Sequence, residues 1–427
     1  MTEELLHHIW KFRLFDNKNL STTEGEVIEI TNPGFHNTNA GPDFFNAKIK
    51  VGDTVWAGNV EIHVRSSDWD KHDHQDDKSY DNVVLHVVYE SDKKVLRKNG
   101  QLIPTLELKG RSDTAVYKKY HDFKYSRDWI PCEKQISNVS AVTVNSWLDR
   151  LLVERLEKKS ESIVRSLKLN KNNWEETFYQ QLARSFGSNV NGEPFELLAK
   201  SLPLNFLYKQ KENLLQIEAL LFGQAGMLAE KFKDDYPVQL QKEYKFLKQK
   251  FSLTPIDTHL WKFLRLRPVN FPTIRIAQLA QLLYLSGRLF PRIIEEENIK
   301  TIKMILAVKT SAYWNDHYRF GKRSPKRKKS LGADTIEAII INTVIPFLFV
   351  YGKQKNEEKY VDRALFFLEK LKGEKNSIIE KWAKLKMPVR SAYSTQALLQ
   401  LKKEYCDRKR CLQCAIGNKL LNTRHSG

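Results

Sequence analysis

The sequence is poor in cysteine and lacks a long hydrophobic run. Four cysteines among 427 residues are too few for a disulfide scaffold, which indicates a protein of a reducing compartment. No window of about 18 purely apolar residues occurs, because Asn342 and Pro346 interrupt the longest apolar stretch, residues 338–352, and this stretch is typical of a buried helix. The first residues, MTEELLHHIWKF, lack the basic start and the cleavage site of a signal peptide. We therefore expect a cytoplasmic protein without a membrane span.

Positive charge is concentrated in the second part of the chain. The net charge is +19; residues 1–130 carry 18 Lys/Arg and 21 Asp/Glu, whereas residues 131–427 carry 52 and 30. A near-neutral region joined to a strongly basic one is typical of proteins that bind a polyanion, and nucleic acid is the first candidate. A lysine-rich surface that only keeps the protein in solution would leave the same pattern.

Two regions with different hydrophobic patterns follow one another. Residues 1–130 predict a front helix, three strands, a polar segment and two further strands. The run at 82–90 is almost continuously apolar and predicts a strand buried on both faces. From about residue 137 helical patterns dominate, without a fixed-period repeat. The fold class is therefore predicted as α+β: a mixed sheet with flanking helices over 1–130, then a basic, mostly helical domain over 131–427.

Two acidic residues occupy strand positions at which they can meet. Asp43 follows Pro42 at the mouth of one predicted strand, and Glu61 lies eighteen residues later on the next. Two carboxylates at the ends of adjacent strands can bind a divalent metal ion through oxygen. His63 lies two residues after Glu61, on the same face of that strand. This set suits phosphodiester cleavage, because a phosphate repels a nucleophile until a metal ion neutralises its charge.

Three further histidines lie close by in sequence. His72 and His74 occur in the acidic segment DWDKHDHQDD, and His86 occurs inside the apolar strand VVLHVVY. The H-x-H spacing suits a metal chelate, whereas a solvated acidic loop and a core histidine with satisfied hydrogen bonds are the ordinary alternatives. Taken as a set, these side chains predict a metal site formed by Asp43, Glu61, His63, His72, His74 and His86.

The same residues resemble a known motif. Pro42-Asp43 followed by Glu61-Ile62-His63, after a helix and a strand, is similar to the motif of the PD-(D/E)XK nuclease superfamily, whose core runs helix, three strands, helix, strand. The resemblance implies that Asp43 and Glu61 bind Mg²⁺ or Mn²⁺ and that His63 stands in the place of the family's lysine. Lys48 on the neighbouring strand is a second candidate for that positive charge. The Glu3-Glu4 pair lies where many members carry a further glutamate beside the metal.

Nearly the whole chain also resembles a bacterial family known only as domain of unknown function 2851, found mainly in Bacteroidota. The resemblance supplies no activity. The stretches that carry it are NAGPDFFNAKI, GNVEIHVRSSDWDKHDHQDDKSYDNVVLHVVY, RPVNFPTIRIAQLA and CLQCAIG.

The four cysteines divide into one and three. Cys406, Cys411 and Cys414 have the spacing C-x4-C-x2-C, and a C-x2-C pair is usual in sites for zinc or an iron–sulphur cluster. Cys132 is the first candidate for the fourth ligand and His425 the second. The division resembles the iron–sulphur-stapled nucleases of helicase–nuclease and CRISPR-adaptation systems. Free thiols are the alternative, and the spacing leaves zinc and iron–sulphur both open.

Two basic segments suit a phosphate backbone. Residues 313–332 combine aromatic side chains with a Pro- and Gly-containing basic loop, and residues 264–280 place arginines around two prolines. Such side chains would bind nucleic acid without reading its sequence; a solvated loop is the ordinary alternative. The predicted contacts are Arg265, Arg267, Arg275, Arg319, Lys322, Arg323, Lys326, Arg327, Lys328 and Lys329.

Together these features predict a metal-dependent endo- or exonuclease that cleaves DNA or RNA held by a basic helical domain. The exchange of the family's lysine for His63 favours an alternative, a catalytically inactive nucleic-acid-binding protein on a nuclease-derived fold. A third hypothesis is a metal hydrolase that uses the histidines on a small phosphorylated substrate in a closed pocket.

Overall fold

The computed structural model describes residues 1–423 and divides the chain into two compact units. Unit 1 contains residues 1–151, 381–387 and the described chain from residue 398 onward, and unit 2 contains residues 152–380 and 388–397. The predicted boundary at residue 130 lies inside unit 1, which also includes residues 131–151 and the C-terminal segment. Composition along a sequence does not reveal the return of that segment to the first unit, which depends on contacts between distant segments.

The first half of the chain contains every strand of the larger sheet. Its elements are α1 (Glu3–Lys11), β1 (Ile28–Asn32), β2 (Phe35–His36), β3 (Phe44–Val51), β4 (Thr54–Arg65), α2 (Asp68–Lys71), β5 (Val83–Glu90), β6 (Thr105–Glu107), α3 (Thr114–Tyr125), α4 (Ala141–Leu169), α5 (Trp174–Phe186), α6 (Ser188–Ser201) and α7 (Leu204–Tyr208).

The second half is helical apart from one short hairpin. Its elements are α8 (Leu214–Gln224), α9 (Asp235–Phe251), α10 (Pro272–Ser286), α11 (Leu289–Glu295), α12 (Ile299–Leu306), β7 (His317–Arg319), β8 (Lys322–Arg323), α13 (Ala333–Ile339), α14 (Ile345–Lys355), α15 (Glu358–Lys370), α16 (Ser377–Lys384), α17 (Ala392–Gln400) and α18 (Ala415–Asn422).

The sheet of unit 1 is mixed. Its strand order is β1-β3-β4-β5-β6, with β2 paired to β3. Strands β1, β3 and β4 are antiparallel neighbours, whereas β5 joins β4 and β6 joins β5 in parallel. Most of β5 is buried, as its continuous apolar run predicted. The α+β class and the order of these elements are confirmed, and the two-residue strand β2 is additional to the strands predicted from sequence.

The hairpin of β3 and β4 positions one face of the sheet for chemistry. Its two-residue turn needs the positive φ of +58° that Gly52 adopts. Along β4, Val60 and Ile62 point to one face and are fully buried. Because successive strand residues alternate between faces, Glu61 and His63 point to the other. One face thus builds the core, and the other carries polar groups that are also buried.

Helix α1 packs against β4 through one apolar side. Its first-turn residues Glu3 and Glu4 complement the positive end of the helix dipole. Since β4 carries Glu61 and His63, this packing brings the helix to the polar part of the sheet. The buried residues of α1 are Leu5, Leu6, His8, Ile9 and Trp10.

Unit 2 buries the most apolar stretch of the sequence. The helical stretch Ala333–Lys355 is long and apolar enough to cross a membrane by length and composition, but 67% of its most apolar window is buried inside the structure. A π-helical turn at Ile340–Val344 precedes Pro346, which lacks the N–H that a regular helix would use there. The prediction of a buried helix over 338–352 is confirmed.

Candidate metal centre

Eight side chains converge beside the sheet of unit 1, and we call them the histidine–carboxylate cluster. Helix α1, the start of β3, strands β4 and β5, and the segment between these two strands all contribute. Six members were predicted from sequence, Glu3 was expected from the resemblance alone, and His7 was missed. His7 follows Glu3 by four residues, so both occupy one face of α1. The members are Glu3, His7, Asp43, Glu61, His63, His72, His74 and His86.

Backbone hydrogen bonds hold the two strand carboxylates together. The Asp43 N–H donates to Glu61 Oε2 at 3.1 Å, and the Ile62 N–H donates to Asp43 Oδ2 at 2.9 Å. The backbone at or next to each residue thus donates a hydrogen bond to the carboxylate of the other, and this holds the two side chains together. Burial, with the nearby charge of Asp43, raises the pKa of Glu61. The second oxygen of Glu61 is left to face the histidines.

The first group of candidate ligands is Glu3, His7 and Asp43. Each offers one ligand atom, and these atoms all lie within 4.8 Å of one another. His7 Nε2 lies 3.1 Å from Asp43 Oδ2, yet this buried nitrogen has no well-directed hydrogen-bond partner among the described residues. Atoms that bind one ion through bonds of about 2.1 Å stand about 3.0–3.4 Å apart. The spacing therefore suits two ligands of a common ion.

The second group is His63, His72 and His74, whose ligand nitrogens also lie within 4.8 Å of one another. His63 Nε2 and His72 Nδ1 are 3.2 Å apart. Glu61 Oε1 lies 3.3 Å from His74 Nε2 and 3.6 Å from His63 Nε2. Within the described chain, the buried His74 Nε2 has no well-directed hydrogen-bond partner. Glu61 thus lies between the two groups, with one oxygen toward each.

Burial keeps the histidines at the back of the cluster uncharged. His63 Nδ1 and His86 Nε2 are 2.8 Å apart, so one ring donates to the other. Burial, followed by the neighbouring histidines, lowers the pKa of His63 to about 2, and burial lowers the pKa of His86 to about 3. A neutral imidazole is the form that binds metals. In the nuclease motif that this chain resembles, a lysine stands at the position of His63. A neutral imidazole cannot supply the positive charge of that lysine.

An apolar wall holds the segment that carries His72 and His74. The Tyr80 ring stacks on His74 with centroids 3.8 Å apart, and the Trp69 ring lies 5.4 Å from both His74 and His86. Trp69 is itself buried against Val83 and other apolar residues. Such packing restricts the orientation of the His74 ring, as expected for groups that support a metal ligand.

Lys48 lies away from the cluster. It pairs with Ala57, four residues before Glu61 on β4, which is about 13 Å along a strand that rises about 3.3 Å per residue. Its side chain is exposed. The structure thus does not bring together Lys48 and the carboxylates that it was expected to assist.

The basic residues predicted to bind nucleic acid divide into buried and exposed members. Lys329 is 3% exposed, and its ammonium donates to the backbone carbonyls of Trp314 and Asn315. Arg275 is buried and donates to three side chains, while the Arg319 guanidinium lies over two phenylalanine rings. Lys329 and Arg275 therefore serve the interior of unit 2. The exposed members are Arg265, Arg267, Lys322, Arg323, Lys326, Arg327 and Lys328.

All four cysteines lie in unit 1 and are free thiols. The segment with Cys406, Cys411 and Cys414 returns to the unit that contains Cys132, as a shared ligand set would require. The other candidate ligand, His425, lies outside the described residues.

Comparisons with known proteins identify a family but no activity. Neither the curated proteins nor the solved structures give a match. A family model described as "Protein of unknown function (DUF2851)" matches residues 3–377. The match includes the histidine–carboxylate cluster and both basic segments, and it ends before the three C-terminal cysteines. Since it spans most of the sequence, the chain belongs to the DUF2851 family.

Proposed function

We propose that this protein is a metal-dependent nuclease whose catalytic site is the histidine–carboxylate cluster. The observation that carries the proposal is the placement of Glu61, which is tied to Asp43 through one oxygen and faces His63 and His74 with the other. The element order also supports it: α1, β1, β3, β4, α2 and β5 follow the order of a PD-(D/E)XK core, with β2 as an addition. In that core, Asp43 and Glu61 hold the positions of the metal carboxylates.

The donor set suits Mn²⁺ or Zn²⁺ better than Mg²⁺. Carboxylate oxygens suit hard ions such as Mg²⁺, whereas imidazole nitrogens suit later transition metals. The cluster mixes both kinds, and the buried His7 Nε2 and His74 Nε2 lack well-directed hydrogen-bond partners among the described residues. A bound cation would satisfy both nitrogens. Of the two ions expected from the resemblance, Mg²⁺ and Mn²⁺, the donor set therefore favours Mn²⁺.

A bound ion would polarise the phosphate and lower the pKa of an attacking water. The chain holds the ligands in place for this chemistry. The Asp43 N–H fixes Glu61, and His86 fixes the tautomer and orientation of His63. His72 is the exposed ring of its group, so substrate would approach from its side. Because His63 is neutral, neutralisation of the phosphate charge depends on the bound ion.

The exposed cations of unit 2 support a polyanionic substrate. Five exposed cations lie in the segment 322–328; two of them form β8, and three follow it. Binding through such side chains releases counterions, so log K should fall by roughly one unit per decade of salt for each phosphate contact.

Cleavage assays with single- and double-stranded DNA and RNA test the proposal. With Mn²⁺ the wild type should cleave at least one substrate, and EDTA should abolish this activity. Asp43→Asn and Glu61→Gln should each lower the rate by at least about 100-fold, because each removes a charged metal ligand. Asp53→Asn is the matched control, since Asp53 is an exposed carboxylate at the turn of the same hairpin. Wild-type protein that binds Mn²⁺ but cleaves none of these substrates would refute the proposal.

The neutral His63 favours one alternative, a nucleic-acid-binding protein on a retired nuclease fold. In that case the wild type and Asp43→Asn should bind nucleic acid equally well, with the same salt dependence. Neither protein should cleave with any metal.

A further inference from the structure

Four cysteines of unit 1 lie outside the histidine–carboxylate cluster and have no part in its proposed chemistry. All four are unpaired; three are buried and Cys406 is half-buried. Cys132 lies in a turn in which its carbonyl accepts the N–H groups of Gln135 and Ile136, both at 2.9 Å. The others lie between residue 406 and the start of α18.

The segment from Cys411 to Gly417 forms a tight turn that carries two of the thiols. The Cys414 N–H donates to the Cys411 carbonyl at 3.3 Å, and the Asn418 N–H donates to the Cys414 carbonyl at 2.8 Å. A side chain at Gly417 is excluded, because its Cβ would lie 2.3 Å from the Cys411 carbonyl oxygen. The turn is therefore compact, and it holds the buried Cys411 and Cys414 thiols three residues apart.

Cys132 joins this turn across 274 residues of chain. Helix α18 packs against the 3-10 turn Ile136–Asn138 that follows Cys132. Cys132 itself is buried. Lys409, which lies between Cys406 and Cys411, donates to the backbone carbonyls of Lys124 and Ser126, so the C-terminal thiols lie beside the chain that carries Cys132.

A buried donor beside these sulfurs points to a missing acceptor. The Trp147 indole N–H is buried and faces the Cys414 sulfur, but no acceptor in the described chain lies in hydrogen-bond geometry with it. Buried polar groups nearly always find a partner. A bound metal centre would provide this acceptor, either through sulphide atoms of its own or by drawing the Cys414 sulfur closer to the indole N–H.

We propose that Cys132, Cys406, Cys411 and Cys414 bind one metal centre that fastens the C-terminal segment to unit 1. Two sets of three ligand residues in the described chain have all their ligand atoms within 4.8 Å, and neither contains a cysteine. A single zinc ion would place its sulfurs about 3.8 Å apart, given Zn–S bonds of about 2.3 Å. An iron–sulphur cluster holds them farther apart, because iron and sulphide stand between them. Since no three of the described thiols meet the 4.8 Å limit, the cluster is the form that we test first.

The fastened segment contacts the helix that supplies Glu3 and His7. The 3-10 turn Cys411–Gln413 packs against α1, and His8 Nε2 lies 2.9 Å from Asn422 Oδ1. Loss of the centre should therefore loosen α1 and weaken metal binding at the histidine–carboxylate cluster. Only this last consequence rests on the proposed function.

Metal analysis of the full chain, purified without oxygen, tests the centre. We expect about four iron and four acid-labile sulphide per chain for a cubane cluster, with the visible absorption of sulphide-to-iron charge transfer. Cys132→Ser and Cys414→Ser should each lose most of the iron. Gln413→Asn is the matched control, because Gln413 is exposed between the two cysteines of the turn, and it should keep the wild-type content.

Each outcome decides the matter. If the wild type holds one zinc per chain and both serine variants lose it, the four thiolates bind a single zinc ion and not an iron–sulphur cluster. A wild type that holds neither zinc nor iron, even after reconstitution under reducing conditions, would overturn the proposal. Iron retained by a folded Cys132→Ser protein would do the same. If the serine variants fail to fold, the metal content of the wild type and the unfolding of the wild type by chelators still test the centre. None of these measurements depends on nuclease activity.

Discussion

Mild acid should destabilise the metal-free protein through its buried histidines. Burial lowers the pKa values of His63, His86 and His8 to about 2, 3 and 4, from an ordinary value of 6.5. A group whose pKa is lower in the folded state takes up protons preferentially in the unfolded state. Its stabilising contribution is present in full above the unfolded pKa and is lost as the pH falls below it.

The size of the effect follows from the unfolded rings. Below about pH 6.5, each histidine that stays neutral in the folded state should remove about 1.4 kcal/mol of stability per pH unit. Between about pH 7 and about pH 5 this amounts to about 2 kcal/mol per residue. The three histidines together should remove about 5–6 kcal/mol, which is comparable to the whole stability of many domains. The raised pKa values of His7 and Glu61 offset part of this loss, because these groups bind protons more tightly in the folded state.

Urea unfolding in EDTA, followed at several pH values between about 7.5 and 5, measures this loss. His86→Asn should remove about a third of the pH dependence. His121→Asn is the control, because His121 is exposed on α3, and it should leave the pH dependence unchanged. A stability that varies by less than about 0.5 kcal/mol over this range would refute the reasoning. Saturating Mn²⁺ should stabilise the protein near pH 7 and stabilise it less near pH 5. Against the effect of burial, the Asp43 carboxylate raises the pKa of His7, so protons compete with the metal for that nitrogen.

Three further predictions concern the support of the site and the basic surface. Tyr80→Ala should weaken metal binding, measured by calorimetry, by about 10- to 100-fold, because it removes the ring stacked on His74. Tyr80→Phe keeps the ring and should bind metal normally. Equal losses of affinity in both variants would exclude a packing role for the ring. Lys48→Ala should leave the cleavage rate within about 2-fold, since Lys48 lies about 13 Å along the strand from Glu61; a 100-fold loss would show that Lys48 does reach the substrate. Lys326→Ala should make nucleic-acid binding less dependent on salt, by the equivalent of about one phosphate contact, without lowering stability. Lys329→Ala should instead lower the melting temperature, because it leaves buried carbonyls without donors. The reverse pattern would contradict this assignment of surface and interior roles.

Local patterns predicted most of the sheet domain. The front helix, the hairpin around Gly52 and the buried strand β5 each follow from hydrophobic spacing and turn chemistry, which act over a few residues. Strand β2 was missed because two residues in a Gly-, Pro- and Asn-rich segment carry no periodicity. No local pattern predicts the return of the C-terminal segment to unit 1, because it depends on contacts between distant parts of the chain; only a ligand set shared by Cys132 and the C-terminal cysteines implied it.

The candidate site was predictable where strand geometry fixes it. Alternation along β4 places Glu61 and His63 on one face, and the hairpin brings Asp43 alongside. His7 was missed because the face that α1 turns toward the sheet depends on packing and not on residue type. Lys329 was predicted to be a surface cation for a similar reason, because a run of basic letters does not show which member is buried.

Diffraction from crystals grown with Mn²⁺, recorded at its absorption edge, tests the central claim most directly. The account predicts an anomalous peak bonded to Glu61 and to Asp43 or His74 at about 2.0–2.3 Å. No peak at this position under saturating Mn²⁺, with His7 Nε2 and His74 Nε2 instead hydrogen-bonded to water or to protein, would contradict it.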